Sequence, residues 1–457
     1  MKVENKSFWR FESEANSYQF AHVNRRDFVK TSMAVAMGGA VATGFTRGAA
    51  AGTTRRSPKR KFHLRQLAAD GDNNAFFPSA AAGKLLASIG GTTLMGYATQ
   101  KGSAIWQRRD NAWQRGALLP IQRPYLVEDK DGFLHAFGLQ DYGRGQEVWH
   151  YTARRPHDVS DFDDGEKVYQ KNYSAATIGD NGTLYYFGAG LDASIGFREK
   201  ARGGAWSETR KLVSGECIYP AAVCRGNSMH LIFCGWNGGP ALYEGVYYLR
   251  SDDRGATWHR SDHRVLKTPV DWKSGALELL NTVGQSNPKN PTGGEANTHP
   301  LNLLVDRANR PHVLYWFSRP YFIAFGTGSG REAEPNVRVK HLRRDADGWK
   351  SSLLCEELDR DVSYCCLAED DQGRLHAVMT QKRSNDDFYD LGYAFSEDAG
   401  DTWSTIQSLT SDANKRKLSY AHVAINPVVR HRRVQFACNM WSQKNPSPIW
   451  YGELEID

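Results

Sequence analysis

The distribution of apolar and polar residues repeats along the chain from residue 80 onward. Each repeat has a short apolar segment, a polar turn that contains Gly, Asn or another turn-forming residue, and a second short apolar segment. Short apolar runs separated by tight turns predict antiparallel β-strands rather than helices. Seven such hairpins occur, at 80–89, 125–137, 175–187, 221–233, 301–317, 365–379 and 423–436. We therefore expect an all-β chain made of seven similar units.

A second recurring signal is a polar turn that ends in Trp. Residues 251–258 and 396–403 share the pattern Ser-x-Asp-x-Gly-x-Thr-Trp. In such a turn the Asp carboxylate can accept hydrogen bonds from backbone N–H groups, and Gly supplies the positive φ. Weaker copies of the turn end at Trp113, Trp206 and Trp349. We expect these five turns to join the third and fourth strands of their units.

The two full copies of this turn resemble the Asp-box, or bacterial-neuraminidase repeat, of sialidases and of several polysaccharide-cleaving β-propellers. The resemblance implies a fold, since the box is a hairpin clasp without a part in the chemistry. Radial repetition of four-stranded sheets is one way in which an all-β chain protects its edges. We therefore expect a seven-bladed β-propeller over residues 62–457. Its last unit lacks an outer strand, and the N-terminal segment 62–67 is predicted to supply that strand and close the ring.

The first 51 residues predict a signal for export. The stretch 24–30, Asn-Arg-Arg-Asp-Phe-Val-Lys, resembles the twin-arginine motif, and it is followed by a weakly apolar run at 33–41 and by small residues at 48–51. That run is too short to span a bilayer. We expect 1–51 to be a twin-arginine signal peptide and 52–61 a linker, with the folded protein in the periplasm or outside the cell.

Charge and cysteine content narrow the function classes. The chain has 58 Lys and Arg against 51 Asp and Glu, and its formal net charge is +7. The basic residues are dispersed, so nucleic acid is not an expected partner, whereas an anionic polysaccharide or oligosaccharide is. Seven cysteines without C-x-x-C spacing argue against a disulfide framework and a zinc ribbon. We expect a monomer that requires no cofactor; a structural Ca or Zn ion stays open, because Cys355, Cys365 and Cys366 have no metal-site spacing.

The candidate site follows from propeller geometry. The ligand face of a propeller is built by the residues that open the first strand of each unit and by the loops between second and third strands. Six of the seven openings carry Tyr, His or Arg. The long connection 267–297 is expected to cover the same face. In contrast, four histidines recur at the start of the second strand, at the opposite end, and are predicted to be structural; they are His135, His230, His312 and His376.

The residue types at this face favour elimination over hydrolysis. A glycosidase needs two positioned carboxylates, yet the nearby acids Asp141, Asp192, Glu244 and Glu295 do not fall at matching positions, and the Arg-Ile-Pro signature of sialidases is missing. β-Elimination from a uronic acid needs a group that neutralises the carboxylate, such as Arg, together with a base and an acid such as His and Tyr.

The mature chain also resembles, in layout, the ulvan lyases and their relatives, which cut rhamnose–glucuronate linkages by β-elimination. The catalytic residues implied by this resemblance are Tyr219, His299, Arg198, Tyr243 and Arg319. The expected substrate-binding residues come from the openings and loops of the predicted ligand face; they are Arg123, Tyr173, Arg144, Trp236, Asn237, Tyr364 and His422. Arg123 stands where those lyases carry a His, so either His299 or Tyr219 is the base. Two alternatives stay open: a sialidase-like or rhamnosidase-like hydrolase on the same fold, and a non-catalytic glycan-binding propeller.

Overall fold

The computed structural model describes residues 60–72, 75–76, 85–140, 147–170, 174–189, 194–236, 243–281, 296–318, 338–355, 360–383, 390–410, 421–423, 428–440 and 446–456. Within these ranges the side chains of 170, 243, 296–297, 318, 360–363, 382–383, 421–423 and 440 are not described. The predicted signal peptide and most of the predicted linker lie outside the described residues, so their assignment stays a prediction.

The described chain is all-β and begins with strand β1 (Phe62–Gly71). Blade 1 contains β2 (Leu85–Ala87), β3 (Thr93–Thr99), β4 (Gly102–Arg109) and β5 (Ala112–Leu119). Blade 2 contains β6 (Gln122–Glu128), β7 (Leu134–Gln140), β8 (Glu147–Thr152) and β9 (Glu166–Gln170). Blade 3 contains β10 (Ser174–Ile178), β11 (Leu184–Ala189), β12 (Ile195–Lys200) and β13 (Arg210–Ser214).

Blade 4 contains β14 (Cys217–Arg225), β15 (Ser228–Trp236), β16 (Tyr243–Ser251), β17 (Trp258–His259) and β18 (Val265–Leu266). A connection follows with β19 (Val270–Asp271), a 3₁₀ turn (Trp272–Ser274) and β20 (Glu278–Leu279). Blade 5 contains β21 (Ala296–Val305), β22 (Pro311–Ser318), β23 (Arg338–Asp345) and β24 (Gly348–Leu353). Blade 6 contains β25 (Arg360–Glu369), β26 (Leu375–Arg383), β27 (Asp390–Ser396) and β28 (Gln407–Ser408). Blade 7 contains β29 (Ala421–Val423), β30 (Val428–Arg430), β31 (Arg433–Met440) and β32 (Ser447–Glu455).

The blades form a closed ring, which is the predicted propeller. Their innermost strands contact one another in the order β2, β6, β10, β14, β21, β25 and β29–β30, and β30 contacts β2. The ring is closed as predicted, because β1 pairs antiparallel with β32 from Phe62↔Leu454 to Gly71↔Ser447 and becomes the outer strand of blade 7. A single further pair, Gly71↔Thr99, joins β1 to β3, so blades 7 and 1 share one hydrogen-bonded sheet.

Two predicted details extend beyond the described residues. Gly83, the predicted turn of the first hairpin, lies outside them, while the described strands β2 and β3 pair across a turn at Gly90 and Gly91. The cover of the ligand face by the long connection stays a prediction, because 282–295 also lie outside the described residues. In the first half of this connection, β19 pairs with β13 and β20 pairs with β16, at the edges of blades 3 and 4. The buried indole of Trp272 anchors it there, in the core shared by these blades.

The five Trp turns are wedges between neighbouring blades. Each joins the third and fourth strands, as predicted, and each indole packs against an aromatic ring of the preceding blade. The contacts are Trp113 with Tyr451, Trp206 with Phe137, Trp258 with Phe187, Trp349 with Tyr248 and Trp403 with His341, at centroid distances of 5.0–6.2 Å. The turns are therefore structural: each is specified by a short stretch of sequence, and each packs its blade against the preceding one.

The two full copies of the turn have the same hydrogen bonds. In the first, the Thr257 N–H donates to the Asp253 carboxylate at 2.8 Å and the Gly255 N–H donates to Ser251 Oγ at 2.7 Å. In the second, the Thr402 N–H donates to Asp398 at 2.9 Å and the Gly400 N–H donates to Ser396 Oγ at 2.7 Å. The predicted role of the Asp carboxylate as an acceptor within its own turn is confirmed.

The four recurring histidines are structural, as predicted. Each is buried at the start of the second strand and hydrogen-bonds through Nδ1 to a His or Tyr on the third strand, at 2.7–3.0 Å. The pairs are His135 with His150, His230 with Tyr248, His312 with His341 and His376 with Tyr393. The networks lie at the ends of the strands opposite the predicted ligand face. His312 and His376 also bond to Asp306 and Asp370 in the turns of their own blades, whereas His230 bonds to Asn309 of blade 5.

Burial keeps several of these imidazoles neutral, which predicts acid sensitivity. Burial lowers the pKa of His150, His230 and His376 from 6.5 to about 4, and that of His341 well below 6.5. As the pH falls from 6.5 to about 4, the unfolded chain therefore binds protons that the folded chain does not. Each such histidine should lower the free energy of unfolding by about 1.36 kcal/mol per pH unit in this window.

We expect the midpoint of urea unfolding to fall markedly between pH 7 and pH 5. Burial raises the pKa of the carboxyl groups of Asp306 and Asp370, but hydrogen bonds from His and Arg outweigh it and lower both pKa values below 3.8. Their protonation therefore reduces the free energy of unfolding only below about pH 4. The variant His230→Gln should show a pH dependence smaller by about one proton, whereas exposed His63→Gln serves as the control. Equal pH dependence in His230→Gln and the parent would contradict this account.

All seven cysteines are free, as expected for a fold without a disulfide framework. Within the described residues, no helix has the length and apolarity needed to cross a membrane.

Candidate functional site

The openings of three inner strands share an unusual backbone. Arg123, Tyr219 and Tyr364 have φ angles of +53°, +55° and +44°, in the left-handed region. Each lies at a β-bulge near the start of β6, β14 or β25, where the register with the second strand shifts. A non-glycine residue in this conformation costs about 1–3 kcal/mol, and such strain clusters at functional sites. The bulges re-aim three candidate side chains at equivalent positions of alternate blades.

The structure brings two candidate catalytic residues together. Tyr219 opens the inner strand of blade 4 and His299 opens that of blade 5, and their ring centroids are 4.2 Å apart with planes at 49°. On its other side the His299 ring stacks on Trp316, at 5.6 Å and 4°. These two ring contacts, one tilted and one stacked, hold the phenol and the imidazole in a defined mutual orientation.

Burial sets the protonation state of His299. The residue is 7% exposed and Tyr219 is 6% exposed. Burial lowers the pKa of His299 to about 4, against a smaller opposing effect of hydrogen bonds to the backbone. The imidazole is therefore neutral at pH 7 and able to accept a proton. A Tyr next to a neutral His is a pair that can supply one base and one acid.

Arg198 makes contacts of a different kind. Its Nε donates to the carbonyl of Ser207 at 2.7 Å, and its Nη1 donates to the carbonyl of Val168 on the outer strand of blade 2. The first bond lies within blade 3, and the second links blade 3 to blade 2. The guanidinium is half-buried, and its assignment as a catalytic residue stays a prediction.

The remaining candidates are described in part. Trp236 is half-buried at the end of β15, and its backbone N–H donates to the carbonyl of Glu216 at 2.8 Å. It pairs in the ladder with Tyr243, of which only the backbone is described. The backbone of His422 lies in β29. Four candidates lie outside the described residues: Arg144, Tyr173, Asn237 and Arg319.

Two small polar residues near the openings were not among the predicted site residues. Ser174, the first residue of β10, hydrogen-bonds to the hydroxyl of Tyr125 on the neighbouring blade at 2.9 Å. The fully buried hydroxyl of Thr298, next to His299, has no hydrogen-bond partner among the described residues. Ser and Thr are too common in strands for their type alone to mark them. Only the Tyr-rich context of the openings would have drawn attention to them.

No protein-family model matches the chain, and no curated protein sequence matches it. Among solved structures, one described as a new family of polysaccharide lyase, PL25 ulvan lyase, has a TM-score of 0.62 at 15% identity, over 84% of this chain and 95% of that one. The same lyase bound to -[GlcA(1-4)Rha3S]- has a TM-score of 0.61 at 16% identity, with the same coverage. An α-L-arabinanase of Penicillium chrysogenum has a TM-score of 0.43 at 9% identity, over 86% and 98%. At these identities the similarity to the lyase structures shows the propeller fold alone.

Proposed function

We propose that this protein is a polysaccharide lyase that cleaves a uronate-containing glycan of the rhamnose–glucuronate type by β-elimination. The observation that carries the proposal is the juxtaposition of Tyr219 with neutral His299 at the openings of adjacent inner strands. The strained backbone of Tyr219 supports it, because a fold retains such strain where the side chain must point in one direction. The shared fold with an ulvan lyase agrees with it.

In the proposed reaction His299 is the base and Tyr219 the acid. His299 takes the proton from C5 of the uronate, and the electron pair of that C–H bond forms the C4–C5 double bond. The C4–O4 bond breaks, and the leaving oxygen receives a proton from the Tyr219 hydroxyl. A general base and a general acid positioned in this way each contribute about 10²–10⁴-fold to a rate.

The uronate carboxylate needs a positive charge, since negative charge develops on it as the C5 proton leaves. Arg123 is our candidate for this role because its strained backbone places it at the opening of β6, equivalent to Tyr219 in β14. Trp236 is our candidate for stacking on a sugar ring, because it is half-buried at the end of β15.

The test is incubation with ulvan-type glycan, following the ultraviolet chromophore of the unsaturated uronate together with reducing ends. We expect both to appear in equal amounts. The matched control is the same glycan after chemical reduction of its carboxyl groups, which a lyase should not cleave. Reducing ends without the chromophore would instead establish a hydrolase, and measurable affinity without turnover would establish a glycan-binding propeller.

A further inference from the structure

Three potential metal ligands lie within and just after the turn 251–258, the first of the two full copies. Asp252 begins the turn after β16, His259 ends β17, and His263 lies in the tight turn between β17 and β18. One potential ligand atom from each lies within 4.8 Å of the others. His259 is buried, whereas Asp252 and His263 are exposed, so the group is open to solvent on one side.

The hydrogen bonds of His259 leave one nitrogen directed at the carboxylate. Its Nδ1 lies 2.9 Å from the carbonyl oxygen of Arg260, which can only accept, so Nδ1 carries a proton. In a neutral imidazole Nε2 is then a bare acceptor, and it lies 3.0 Å from Asp252 Oδ2, which is also an acceptor. Two acceptors at this distance need a positive charge between them, either a proton or a metal ion.

Outer contacts hold the other groups in place. Asp252 Oδ1 accepts from Ser228 Oγ at 2.9 Å and from Arg250 Nη2, which leaves Oδ2 facing His259. The His263 ring stacks on His259 at 5.6 Å and 25°. Such outer-shell bonds, including the one from Nδ1 to a carbonyl, are what fixes the orientation of metal-binding His and carboxylate groups.

The second copy of the turn shows that the clasp does not need these residues. Glu397, Ser404 and Ser408 stand at the positions of Asp252, His259 and His263, while the hydrogen bonds around Asp398 match those around Asp253. The two histidines of blade 4 are therefore not explained by the fold of the turn. The short outer strand β17 pairs with β16 only at Arg250↔His259, so this is a place where a further link would fasten a blade.

We propose that Asp252, His259 and His263 bind a divalent transition metal such as Zn²⁺, with water completing the coordination. Two imidazoles and one carboxylate are a ligand set that Zn²⁺ takes and that Ca²⁺ and Mg²⁺ disfavour. Tetrahedral ligand atoms at about 2.0–2.1 Å from one ion lie about 3.3–3.4 Å apart, so closing the site needs shifts of up to about 1.5 Å, which the exposed side chains of Asp252 and His263 can supply. Arg250 places positive charge beside the group through its bond to Asp252, while Arg260 pairs with Asp262 at 3.5 Å.

This site is distinct from the proposed active site. The strand β16 runs from Tyr243, at the ligand face, to Ser251, at the opposite end, and Asp252 follows directly. The metal would link the end of the third strand to the outer strand and the turn after it. Its role would be to stabilise blade 4, and the elimination reaction should not depend on it.

The test uses the full chain without a histidine tag, with Co²⁺ as a spectroscopic probe. We expect one Co²⁺ to bind with d–d absorption bands, Zn²⁺ but not Ca²⁺ to displace it, and Zn²⁺ to raise the melting temperature. Exposed His263→Ala should weaken binding by more than the about 10–100-fold that loss of an outer-shell partner costs. His259→Ala should abolish it.

The matched controls are Glu397→Gln and Ser404→Ala, at the same positions of the second turn, which should bind Co²⁺ as the parent does. Unchanged binding in His263→Ala and His259→Ala would overturn the proposal, as would intense near-ultraviolet bands of cobalt–thiolate coordination as the only signal. Absence of any Co²⁺ binding to the parent chain would also overturn it. Each of these readouts is independent of lyase activity.

Discussion

Replacing Tyr219 with Phe should lower the rate of chromophore formation by about 10²–10⁴-fold, the contribution of a positioned general acid. The substitution removes only the hydroxyl, so the contact of the ring with His299 at 4.2 Å and the bulge of β14 are kept. The leaving oxygen would then have to depart without a proton from the enzyme. We expect kcat to fall with little change in KM, because the hydroxyl acts in the transition state.

Tyr248→Phe separates this effect from a structural one. Tyr248 lies on β16 of the same blade and bonds to His230 at 2.7 Å, away from the ligand face. Its loss should cost about 0.5–1.5 kcal/mol in the free energy of unfolding and leave kcat unchanged. If Tyr219→Phe instead lowers the unfolding midpoint and keeps full activity, then Tyr219 only packs the channel and the proposed acid must be another group.

Deleting residues 60–69 should abolish the cooperative fold at 37 °C. Strand β1 is the outer strand of blade 7, paired along its length with β32, and the Phe62 ring stacks on Phe436 at 6.0 Å. Its loss would expose the edge of β32 and unfasten the two ends of the ring. We expect a loss of at least about 5 kcal/mol, which is comparable to the whole stability of many domains.

The deletion is measured by urea unfolding beside a control that lacks only residues 52–59. Addition of a peptide spanning 60–72 should restore the cooperative transition, because a free edge can accept an added strand. A deletion variant with the unfolding midpoint and the denaturant slope of the parent would contradict the role of β1 in closing the ring.

Several features of the fold could be predicted because they are local. A hairpin is specified by residues within a dozen positions, so the alternation of apolar segments and turns was enough to identify the turns of the second to seventh hairpins. The Ser-x-Asp-x-Gly-x-Thr-Trp turns satisfy their own hydrogen bonds, as Asp253 and Asp398 do. The segment from Phe62 was identified because it was an unpaired strand in a chain whose last blade lacked one.

The first hairpin shows what a local pattern leaves open. The sequence offers both Gly83 and Gly91 as turn residues; Gly83 lies outside the described residues, and Gly91, with a φ of +83°, lies in the turn between β2 and β3. The register is decided by packing, since β2 pairs with β3 from Leu85↔Met95 to Ala87↔Thr93 and places Leu85 and Met95 in the core. A local pattern cannot weigh that contact.

By itself the sequence determined the repeating units, the Trp wedges, the N-terminal strand that closes the ring and the residue types gathered at the strand openings. Only the tertiary structure decided that Tyr219 touches His299, that Arg198 bonds to two carbonyls, and that His259 faces Asp252. The reason is that the hydrogen bonds within a turn and the hydrophobic periodicity of a hairpin depend on residues close together in the chain. The protonation of His299 and the strain at Tyr219 arise from burial and from contacts between blades, which exist only once the ring has formed.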